Sequence, residues 1–365
     1  MIRFPGDAMD FSVEDRIERA ATLPAGAYSA AAVLQEEKAR VFSATWQLVG
    51  RSDQVARRGD FFTARSADAE LLVVRGEDGV VRALSNVCRH RAGPVALGAG
   101  SCRVLKCGYH GWSYGLDGRL LGTPEFEGVE NFRKEDVRLP AFAVDTWIGL
   151  VFAHLDPGAP RLRDTLDDLA ARLEKKRLGE MRLAFRRDWT LDCNWKVYVD
   201  NYLEGYHIPV VHPSLMKELD YAAYRTKTFR NHSLQISPIR PAEGGRLRTG
   251  PDSDEAEYWW IYPNLMLNVY PDNFSTNLIL PLGPERTLTV FEWFFSGADR
   301  PDVQEKVRET VAFSDEIQRE DIAICEAVQR GLRSRTYERG RYSVKREAGV
   351  HHFHRLWAAS MKPAR

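Results

Sequence analysis

The chain has 365 residues, of which 44% are hydrophobic, so it can form a substantial core and two domains. Its 51 Lys and Arg residues are balanced by 51 Asp and Glu residues, so neither nucleic acid nor an anionic membrane surface is an expected partner. No apolar run could span a bilayer, the N-terminal region lacks the apolar core of a signal peptide, and five cysteines do not suggest a disulfide framework. We therefore expect a cytoplasmic protein.

The first half of the chain is predicted to be rich in β-strands. Residues 1–45 are expected to form an arm and a helix that pack on the C-terminal domain. From about Gln47 to Leu155 short β-type runs dominate, and the dipeptides Asp78-Gly79 and Asp117-Gly118 are typical of hairpin turns. These patterns predict a small all-β domain over residues 46–156.

The motif Cys88-x-His90, followed after sixteen residues by Cys107-x-x-His110, lies within this β domain. Two thiolates and two imidazoles at loop spacing are typical of a Rieske [2Fe–2S] cluster, in which the cysteines bind one iron and the histidines the other. The same four ligands also suit a structural zinc ion. Glycine-rich sequence around both ligand pairs favours the cluster, because backbone amides must approach its sulfur atoms closely. Trp112 could shield the centre from water.

After Pro157 the pattern changes to helices mixed with longer strands. A charged helix is predicted over Leu162–Lys176, aromatic-rich strands lie between residues 255 and 295, and a segment from Gly349 to Ala359 closes the chain. Strands followed by packed helices indicate an α+β domain with an antiparallel sheet, which we place over residues 157–365.

A second set of metal-binding residue types follows residue 194. If Trp195–Tyr206 is helical, Glu204 and His207 lie at i, i+3 on one face. Pro209 is expected to end that helix, which lets His212 fold back toward His207. Two histidines and one carboxylate form the usual ligand set of mononuclear non-haem Fe(II) enzymes. A pair of ordinary, partly buried histidines is the alternative.

The carboxylate that completes this set is predicted on a long helix near the C-terminus. Residues at steps of three and four mark its mainly apolar face: Val303, Val307, Val311, Ser314, Ile317, Asp321, Ile324, Val328 and Leu332. A carboxylate at Asp321 is costly to bury unless it is paired or bound to a metal. Coordination by His207, His212 and Asp321 would provide that compensation, whereas a salt bridge to an arginine is the alternative.

Together these motifs resemble the α (oxygenase) subunit of Rieske-type non-haem iron oxygenases, over nearly the whole chain. The resemblance implies a terminal oxygenase that receives electrons from NAD(P)H through a separate reductase or ferredoxin. A Rieske cluster then passes them to Fe(II), where O₂ and a small organic substrate react. It implies a homotrimer in which one subunit's cluster lies near the next subunit's iron. It assigns the cluster to Cys88, His90, Cys107 and His110, and the iron to His207, His212 and Asp321.

The resemblance also implies a catalytic role for Glu204, as the acidic residue that bridges a cluster histidine of one subunit and an iron histidine of its neighbour. Most aromatic-ring dioxygenases have aspartate there, and glutamate resembles the subgroup that acts on quaternary ammonium compounds. A quaternary ammonium compound is therefore the leading candidate substrate, oxidised by monooxygenation, N-demethylation or C–N cleavage. An aromatic-ring dioxygenase or an aromatic O- or N-demethylase is the alternative, and a Rieske electron carrier is a remote one.

Several residues have more than one interpretation. The aromatic residues of the later strands suit a trimethylammonium group, an aromatic substrate or a plain sheet core: Tyr258, Trp259, Trp260, Tyr262, Tyr270, Phe291, Trp293, Phe294 and Phe295. Asn201 lines the iron pocket or is a core asparagine. His351, His352 and His354 are expected in a helix or interface rather than in a second metal site.

Positive charge is concentrated around the cluster ligands. The residues that carry it are Arg89, Arg91, Arg103 and Lys106. They could dock an acidic reductase or ferredoxin, or they are solvated loop charges.

Overall fold

The computed structural model describes residues 9–240, 245–247 and 254–362. The first eight residues of the predicted arm and the last three of the chain lie outside them. Lys38–Gly179 form one compact unit, and the described residues of Met1–Glu37 and Glu180–Arg365 form the other. No helix in the described parts of the chain is both long enough and apolar enough to cross a membrane.

Helices are concentrated in the second unit. They are α1 (Ala31–Glu37), α2 (Leu162–Leu166), α3 (Asp168–Glu174), α4 (Trp195–Tyr202), α5 (Ile208–Val211), α6 (Pro213–Glu218), α7 (Pro301–Leu332) and α8 (Ala348–Ser360). Of these, α2 and α3 belong to the first unit.

The first unit is built on antiparallel sheets, as the sequence predicts. Its strands are β1 (Gln47–Arg51), β2 (Asp60–Ser66), β3 (Ala69–Arg75), β4 (Val81–Ser85), β5 (Ala99–Ser101), β6 (Leu105–Lys106), β7 (Ser113–Tyr114), β8 (Leu120–Gly122), β9 (Ala141–Trp147) and β10 (Leu150–His154). One sheet has the order β1-β10-β9-β4-β3-β2-β5, and β6-β7-β8 form a second.

Strand β3 is apolar on both faces because it separates two cores. Leu72 and Val74 pack with Leu84 and with the Cys88 and Cys107 loops. The alternate residues, Leu71 and Val73, pack on the other face with Val55, Phe62 and Val151. Successive strand residues point to opposite faces, so one short apolar run supplies both cores. The ligand loops are thus anchored on a buried strand.

The predicted helix over Leu162–Lys176 is interrupted. Asp167 has φ 54°, which a right-handed helix cannot accommodate, so the segment divides into α2 and α3. Trp147 on β9 donates from Nε1 to the Ala170 carbonyl at 3.4 Å. Residues 157–179 therefore pack in the first unit, whereas the sequence analysis placed them in the C-terminal domain.

One antiparallel sheet forms the centre of the second unit. Its strands are β11 (Arg182–Leu191), β12 (Arg225–Thr228), β13 (His232–Pro238), β14 (Glu255–Ile261), β15 (Leu265–Val269), β16 (Asn273–Gly283) and β17 (Arg286–Phe295). Their order is β11-β17-β16-β15-β14-β13-β12. Helices α4 and α7 contact this sheet, which agrees with the predicted α+β domain.

Helix α4 ends earlier than predicted, at Tyr202. Glu204 and His207 therefore lie in a turn rather than on a helical face, and the predicted i, i+3 geometry is wrong. Pro209 does not end a helix; it stands in the first turn of α5, where a missing N–H costs nothing. Tyr206, at the end of the predicted helix, is 57% exposed.

The buried face of α7 also differs from the predicted stripe in its second half. Val303, Val307, Val311 and Asp321 are buried as predicted. Ile324 and Val328 are instead 37% and 44% exposed, and Ser314, Ile317 and Leu332 are only partly buried. The buried arc is completed by Asp315, Gln318, Cys325 and Gln329. Two of these polar side chains are satisfied in the core: Gln318 Oε1 accepts from Tyr198, and Gln329 Oε1 accepts from the Asn194 amide.

A buried ion pair joins α1, α4 and α8. Lys196 Nζ lies 2.5 Å from Glu37 Oε1, and both side chains are fully buried. The indole N–H groups of Trp195 and Trp357 donate to the same carboxylate at 2.9 and 2.7 Å. Burial lowers the pKa of Lys196, although Glu37 opposes the shift. The carboxylate thus compensates one buried cation and two buried donors at once.

Replacing Glu37 by alanine should therefore destabilise the protein strongly, by about 3–5 kcal/mol, because Lys196 would be left buried without its counter-ion. Urea unfolding of the Glu37→Ala and Glu36→Ala variants measures the difference. Glu36 is exposed, so its removal should cost less than about 1 kcal/mol. Equal losses in the two variants would contradict this role.

Candidate functional site

The first group of ligand-type residues lies in two loops of the first unit. Cys88 follows β4 and Cys107 follows β6, and both thiols are buried. The loops close on themselves: the Cys88 amide donates to the Gly93 carbonyl at 2.8 Å, and the Cys107 amide donates to the Trp112 carbonyl at 2.9 Å. Each loop therefore holds its cysteine and its histidine in a fixed turn.

The two histidines of these loops face one another. The ring centroids of His90 and His110 are 4.6 Å apart, and His90 stacks on Trp112 at 4.9 Å. His90 Nδ1 is buried and has no hydrogen-bond partner among the described residues. A buried nitrogen without a partner is costly unless something outside the protein binds it. Two thiols and two imidazoles, one of which has this partnerless nitrogen, fit the ligand set of a [2Fe–2S] cluster with mixed ligation.

A tyrosine that the sequence analysis missed completes this site. The Tyr114 hydroxyl lies 3.2 Å from Cys88 Sγ and accepts from the Arg89 amide at 3.0 Å. Burial, together with the Cys88 thiol, raises the pKa of Tyr114, so its hydroxyl keeps the proton it can donate to a Cys88 thiolate. Its place in β7, seven residues after Cys107, gave no pattern that identified it.

The second group of ligand-type residues lies in the second unit, where His207, His212 and Asp321 converge. One ligand atom from each lies within 4.8 Å of the others. His212 Nε2 is 2.9 Å from Asp321 Oδ1, and His207 Nε2 is 3.8 Å from the same oxygen. His212 and Asp321 are buried, and His207 is half-buried. Two imidazole nitrogens and a carboxylate oxygen at this spacing could hold a mononuclear Fe(II).

Each imidazole of this group is oriented by a glutamate on its outer nitrogen. His207 Nδ1 lies 2.6 Å from Glu204 Oε1, and His212 Nδ1 lies 2.6 Å from Glu320 Oε2. Carboxylates on Nδ1 keep both Nε2 atoms directed toward Asp321 and make the ligands more basic. Glu320 directly precedes Asp321 in α7, but no role for it followed from the sequence.

Two further contacts constrain the carboxylate. Asn201 donates from Nδ2 to Asp321 Oδ1 at 2.6 Å, so it lines the site, as one of its two interpretations held. Burial alone would lower the pKa of His212, but Asp321 and Glu320 together raise it. A metal must displace that proton, so metal binding at this site is expected to weaken as the pH falls.

A cavity opens beside this group, between the sheet and helices α4 and α7. Of the nine aromatic residues of the later strands, four line it: Tyr258, Tyr270, Phe291 and Trp293. The other aromatic residues of its wall are Tyr198, Tyr202, Tyr224 and Phe313. Trp259, Trp260, Phe294 and Phe295 are buried in the sheet core instead, and Tyr262 bonds Ser360 Oγ at 2.8 Å.

One arginine that no sequence pattern identified also lines the cavity. The Arg246 guanidinium lies 5.0 Å from the centre of the Phe313 ring and pairs with Glu316 at 2.5 Å. Both partners of this pair are about half exposed, so the pair contributes little to stability. Arg246 can therefore exchange Glu316 for an anionic group inside the cavity.

The histidines near the C-terminus lie in helix α8, as predicted, and bond to other parts of the protein. His354 bonds Tyr28, Asp200 and Tyr342, and His351 Nε2 contacts the Glu14 carbonyl, so these histidines are held within the protein. Among the described residues, only His207, His212 and Asp321 form a metal-type group of three by this distance criterion. Arg89, Arg91, Arg103 and Lys106 are all exposed, and a docking surface there stays a prediction.

Comparison with protein families identifies both halves of the chain. Residues 45–133 match the "Rieske [2Fe-2S] domain", and residues 180–363 match the "Ring hydroxylating alpha subunit (catalytic domain)". The first match excludes the zinc interpretation. The second excludes a stand-alone electron carrier, which would not need a catalytic domain.

Curated relatives are similar over nearly the whole chain. Choline monooxygenase of Arabidopsis thaliana is 36% identical over 97% of this chain and 86% of its own length. The oxygenase subunit of carnitine monooxygenase of Escherichia coli K12 is 32% identical over 94% of this chain and 95% of its own length.

Solved structures are also similar over nearly the whole chain. A quaternary ammonium Rieske monooxygenase in complex with L-carnitine superposes with a TM-score of 0.83 and 30% identity, covering 94% of this chain and 96% of that one. Naphthalene 1,2-dioxygenase from a Rhodococcus species has a TM-score of 0.78 at 20% identity over 93% of this chain and 94% of that one, and shares the fold.

Removing the glutamate on His212 should weaken metal binding at the second site. We expect Glu320→Ala to bind Fe(II) about 10–100-fold more weakly, because outer carboxylates orient histidine ligands. Anaerobic Fe(II) titration against a competing chelator measures the affinity, and the cluster absorption should not change. Glu305→Ala, at an exposed position of α7, is the control. Wild-type iron affinity in Glu320→Ala would contradict the assignment.

Proposed function

The chain belongs to the Rieske non-haem iron oxygenases, as an α (oxygenase) subunit, and on that premise we propose that it oxidises a quaternary ammonium compound. It is a terminal oxygenase whose cofactors are a Rieske [2Fe–2S] cluster and a mononuclear iron, with electrons supplied by a separate reductase. When bound, the cluster supplies single electrons and the iron activates O₂. We place the enzyme in the cytoplasm, because cluster thiolates require reduced cysteines.

The ligand assignment that we propose follows the two groups described above. Cys88, His90, Cys107 and His110 hold the cluster, and His207, His212 and Asp321 hold the iron. The partnerless nitrogen of His90 and the convergence of both Nε2 atoms on Asp321 support this assignment. The outer glutamates fix the imidazole rings, and Asn201 fixes the carboxylate, so the iron site is organised before substrate enters.

The observation that carries the substrate proposal is the tyrosine-rich cavity beside the iron ligands. Tyr202, Tyr224, Tyr258 and Tyr270 all line it. Burial raises the pKa of each, to about 12 for Tyr270, so these rings stay neutral. Electron-rich aromatic faces attract a trimethylammonium group by about 0.5–2 kcal/mol each when water is excluded. The relatives named above are monooxygenases of choline and carnitine, which both carry this group.

Arg246 supports a narrower substrate class within this proposal. A betaine carries a carboxylate at a distance from its quaternary nitrogen. Arg246 offers the cavity a guanidinium whose present partner, Glu316, is half exposed and therefore replaceable. We infer that the substrate is a carboxylated quaternary ammonium compound, with its nitrogen toward the tyrosines and its carboxylate toward Arg246. A substrate without a carboxylate, such as choline, would leave this guanidinium unused.

A substrate panel tests both levels of the proposal. We expect substrate-dependent O₂ and NAD(P)H consumption with carnitine, glycine betaine or stachydrine, and weaker consumption with choline. Arg246→Met should raise the KM for the betaine about tenfold, as expected for loss of one charge-assisted contact, without raising that for choline. Arg308→Met, at an exposed position of α7, is the control.

Other outcomes of the panel distinguish an error in the betaine assignment from an error in the substrate class. Faster turnover of choline than of any betaine, or an unchanged KM for the betaine in Arg246→Met, would overturn the betaine assignment alone. Hydroxylated product from benzoate-type or polycyclic aromatics only would overturn the substrate class, while the oxygenase would remain.

We also propose a head-to-tail homotrimer, in which the cluster of one subunit serves the iron of the next. Exposed apolar side chains stand next to both sites: Leu97 and Tyr109 beside the cluster loops, and Tyr206 and Val210 beside Glu204. Two different exposed patches suit a heterologous contact, and such contacts close into rings. Glu204, bonded to His207, then lies at the receiving end of the electron path.

Glu204→Gln should separate metal binding from electron transfer. The amide keeps the shape of the side chain but loses the charge that bridges two imidazoles. We expect full cluster and iron content, and reoxidation of the reduced cluster at least about tenfold slower in a single turnover with substrate. An unchanged rate and product yield would contradict the bridging role.

A further inference from the structure

The turn that carries Glu204 leaves the end of α4 and is buried on both sides of the glutamate. Leu203 and Gly205 are buried, whereas Glu204 itself reaches out to His207. The last carbonyl of α4 is also engaged, because Gln235 donates from Nε2 to the Tyr202 carbonyl at 2.7 Å. The position of the Glu204 carboxylate therefore depends on what packs against its two neighbours.

The first of these neighbours is held by the start of α8. A Cβ built on Gly349 would lie only 2.4 Å from the Leu203 carbonyl oxygen and 3.4 Å from its carbon. The contacting atoms are backbone, so they could not move away without displacing the turn. Gly349 thus allows α8 to approach the residue before Glu204 more closely than any other amino acid would.

The second neighbour is held by an aromatic ring. A Cβ on Gly205 would lie 2.8 Å from Cζ of Tyr224, whose hydroxyl donates to Gln235 Oε1 at 3.0 Å. Tyr224 is in turn held by Arg346, which donates to the Tyr224 carbonyl at 3.2 Å and to the Tyr221 carbonyl at 3.4 Å. The Arg346 guanidinium also lies 4.1 Å from the centre of the Tyr221 ring.

Arg346 and Gly349 belong to the same short segment, Ser343–Gly349, between the end of α7 and the body of α8. The segment has its own internal restraint, since the Ser343 amide donates to the Glu347 carboxylate. Burial, with the nearby Glu204 and Asp200 carboxylates, raises the pKa of Glu347. The segment therefore reaches the surroundings of Glu204 through three of its residues.

We propose that the segment Ser343–Gly349 positions Glu204 for electron transfer, with Arg346 and Gly349 as the positioning residues. Gly349 fixes the backbone before the glutamate, and Arg346 fixes, through Tyr224, the backbone after it. The 2.6 Å contact between Glu204 Oε1 and His207 Nδ1 depends on that turn. This inference rests on the electron-transfer role proposed for Glu204 and adds the element that controls it.

Two variants with matched controls test the proposal. Gly349→Ala adds a methyl group against the Leu203 carbonyl, and its control is Gly331→Ala, where a Cβ would meet nothing within 4 Å. Arg346→Met removes the bonds to the Tyr221 and Tyr224 carbonyls, and its control is Lys345→Met at the adjacent exposed position. The reconstituted full-length proteins are compared for iron and sulfide content, Tm, rate of cluster reduction by a reductase, and rate of cluster reoxidation in a single turnover.

We expect reoxidation about tenfold slower in Gly349→Ala and Arg346→Met, at unchanged metal content and unchanged rate of cluster reduction. Both controls should match wild type. A purely structural role would lower Tm or metal content without slowing reoxidation per loaded iron site, and that result would overturn the proposal. Arg346→Met decides alone if Gly349→Ala does not fold.

Glu204→Gln in the same assay shows whether the positioning inference fails alone or together with the role proposed for Glu204. A slow Glu204→Gln with wild-type rates in both tail variants overturns only the positioning inference. A wild-type rate in Glu204→Gln removes the role of Glu204 and the inference with it.

Discussion

A carboxylate buried between two imidazoles is the arrangement on which the rest of this structure depends. Asp321 lies in the middle of α7, where a negative charge without compensation would cost several kcal/mol. The convergence of His207, His212 and Asn201 on one of its oxygens gives that charge partners. The length of α7 and the early end of α4 both serve to bring these groups together.

The imidazole nitrogens that face away from Asp321 also have defined partners. Each imidazole presents Nε2 to Asp321 because its Nδ1 is already engaged by a glutamate. The two glutamates differ in their surroundings. Glu320 belongs to the same helix as Asp321, whereas Glu204 stands on a turn held by α8 and by Tyr224. The position of Glu320 is therefore set by α7, whereas the position of Glu204 depends on the packing of its turn.

The two groups of candidate ligand residues could be located in the sequence because each motif is local, and their role as ligands stays a prediction. Cys88-x-His90 and Cys107-x-x-His110 each lie within one loop, and the buried position of Asp321 follows from helical periodicity. The end of α4, the break at Asp167 and the exposure of Ile324 were not predictable in the same way. They depend on tertiary packing and on polar residues that are satisfied by distant partners.

The residues that line the cavity were even less predictable from the sequence. The sequence could not show which of the nine aromatic residues of the later strands contact the substrate. Only the register of the sheet separates those that line the cavity from those in the core. Arg246 follows no periodic pattern, and its place beside Phe313 and Glu316 arises from chain segments far apart in sequence. The roles of Tyr114 and Glu320 likewise appear only once the loops and helices are in contact.

Counting iron and acid-labile sulfide in the anaerobically reconstituted protein, for wild type and Asp321→Ala, tests the two-centre account most directly. The account predicts the two irons and two sulfides of a Rieske cluster plus one further iron per wild-type chain. It predicts that Asp321→Ala loses only the further iron and keeps the cluster absorption. Loss of sulfide together with the iron in a folded Asp321→Ala protein, or wild-type iron content in that variant, would contradict it.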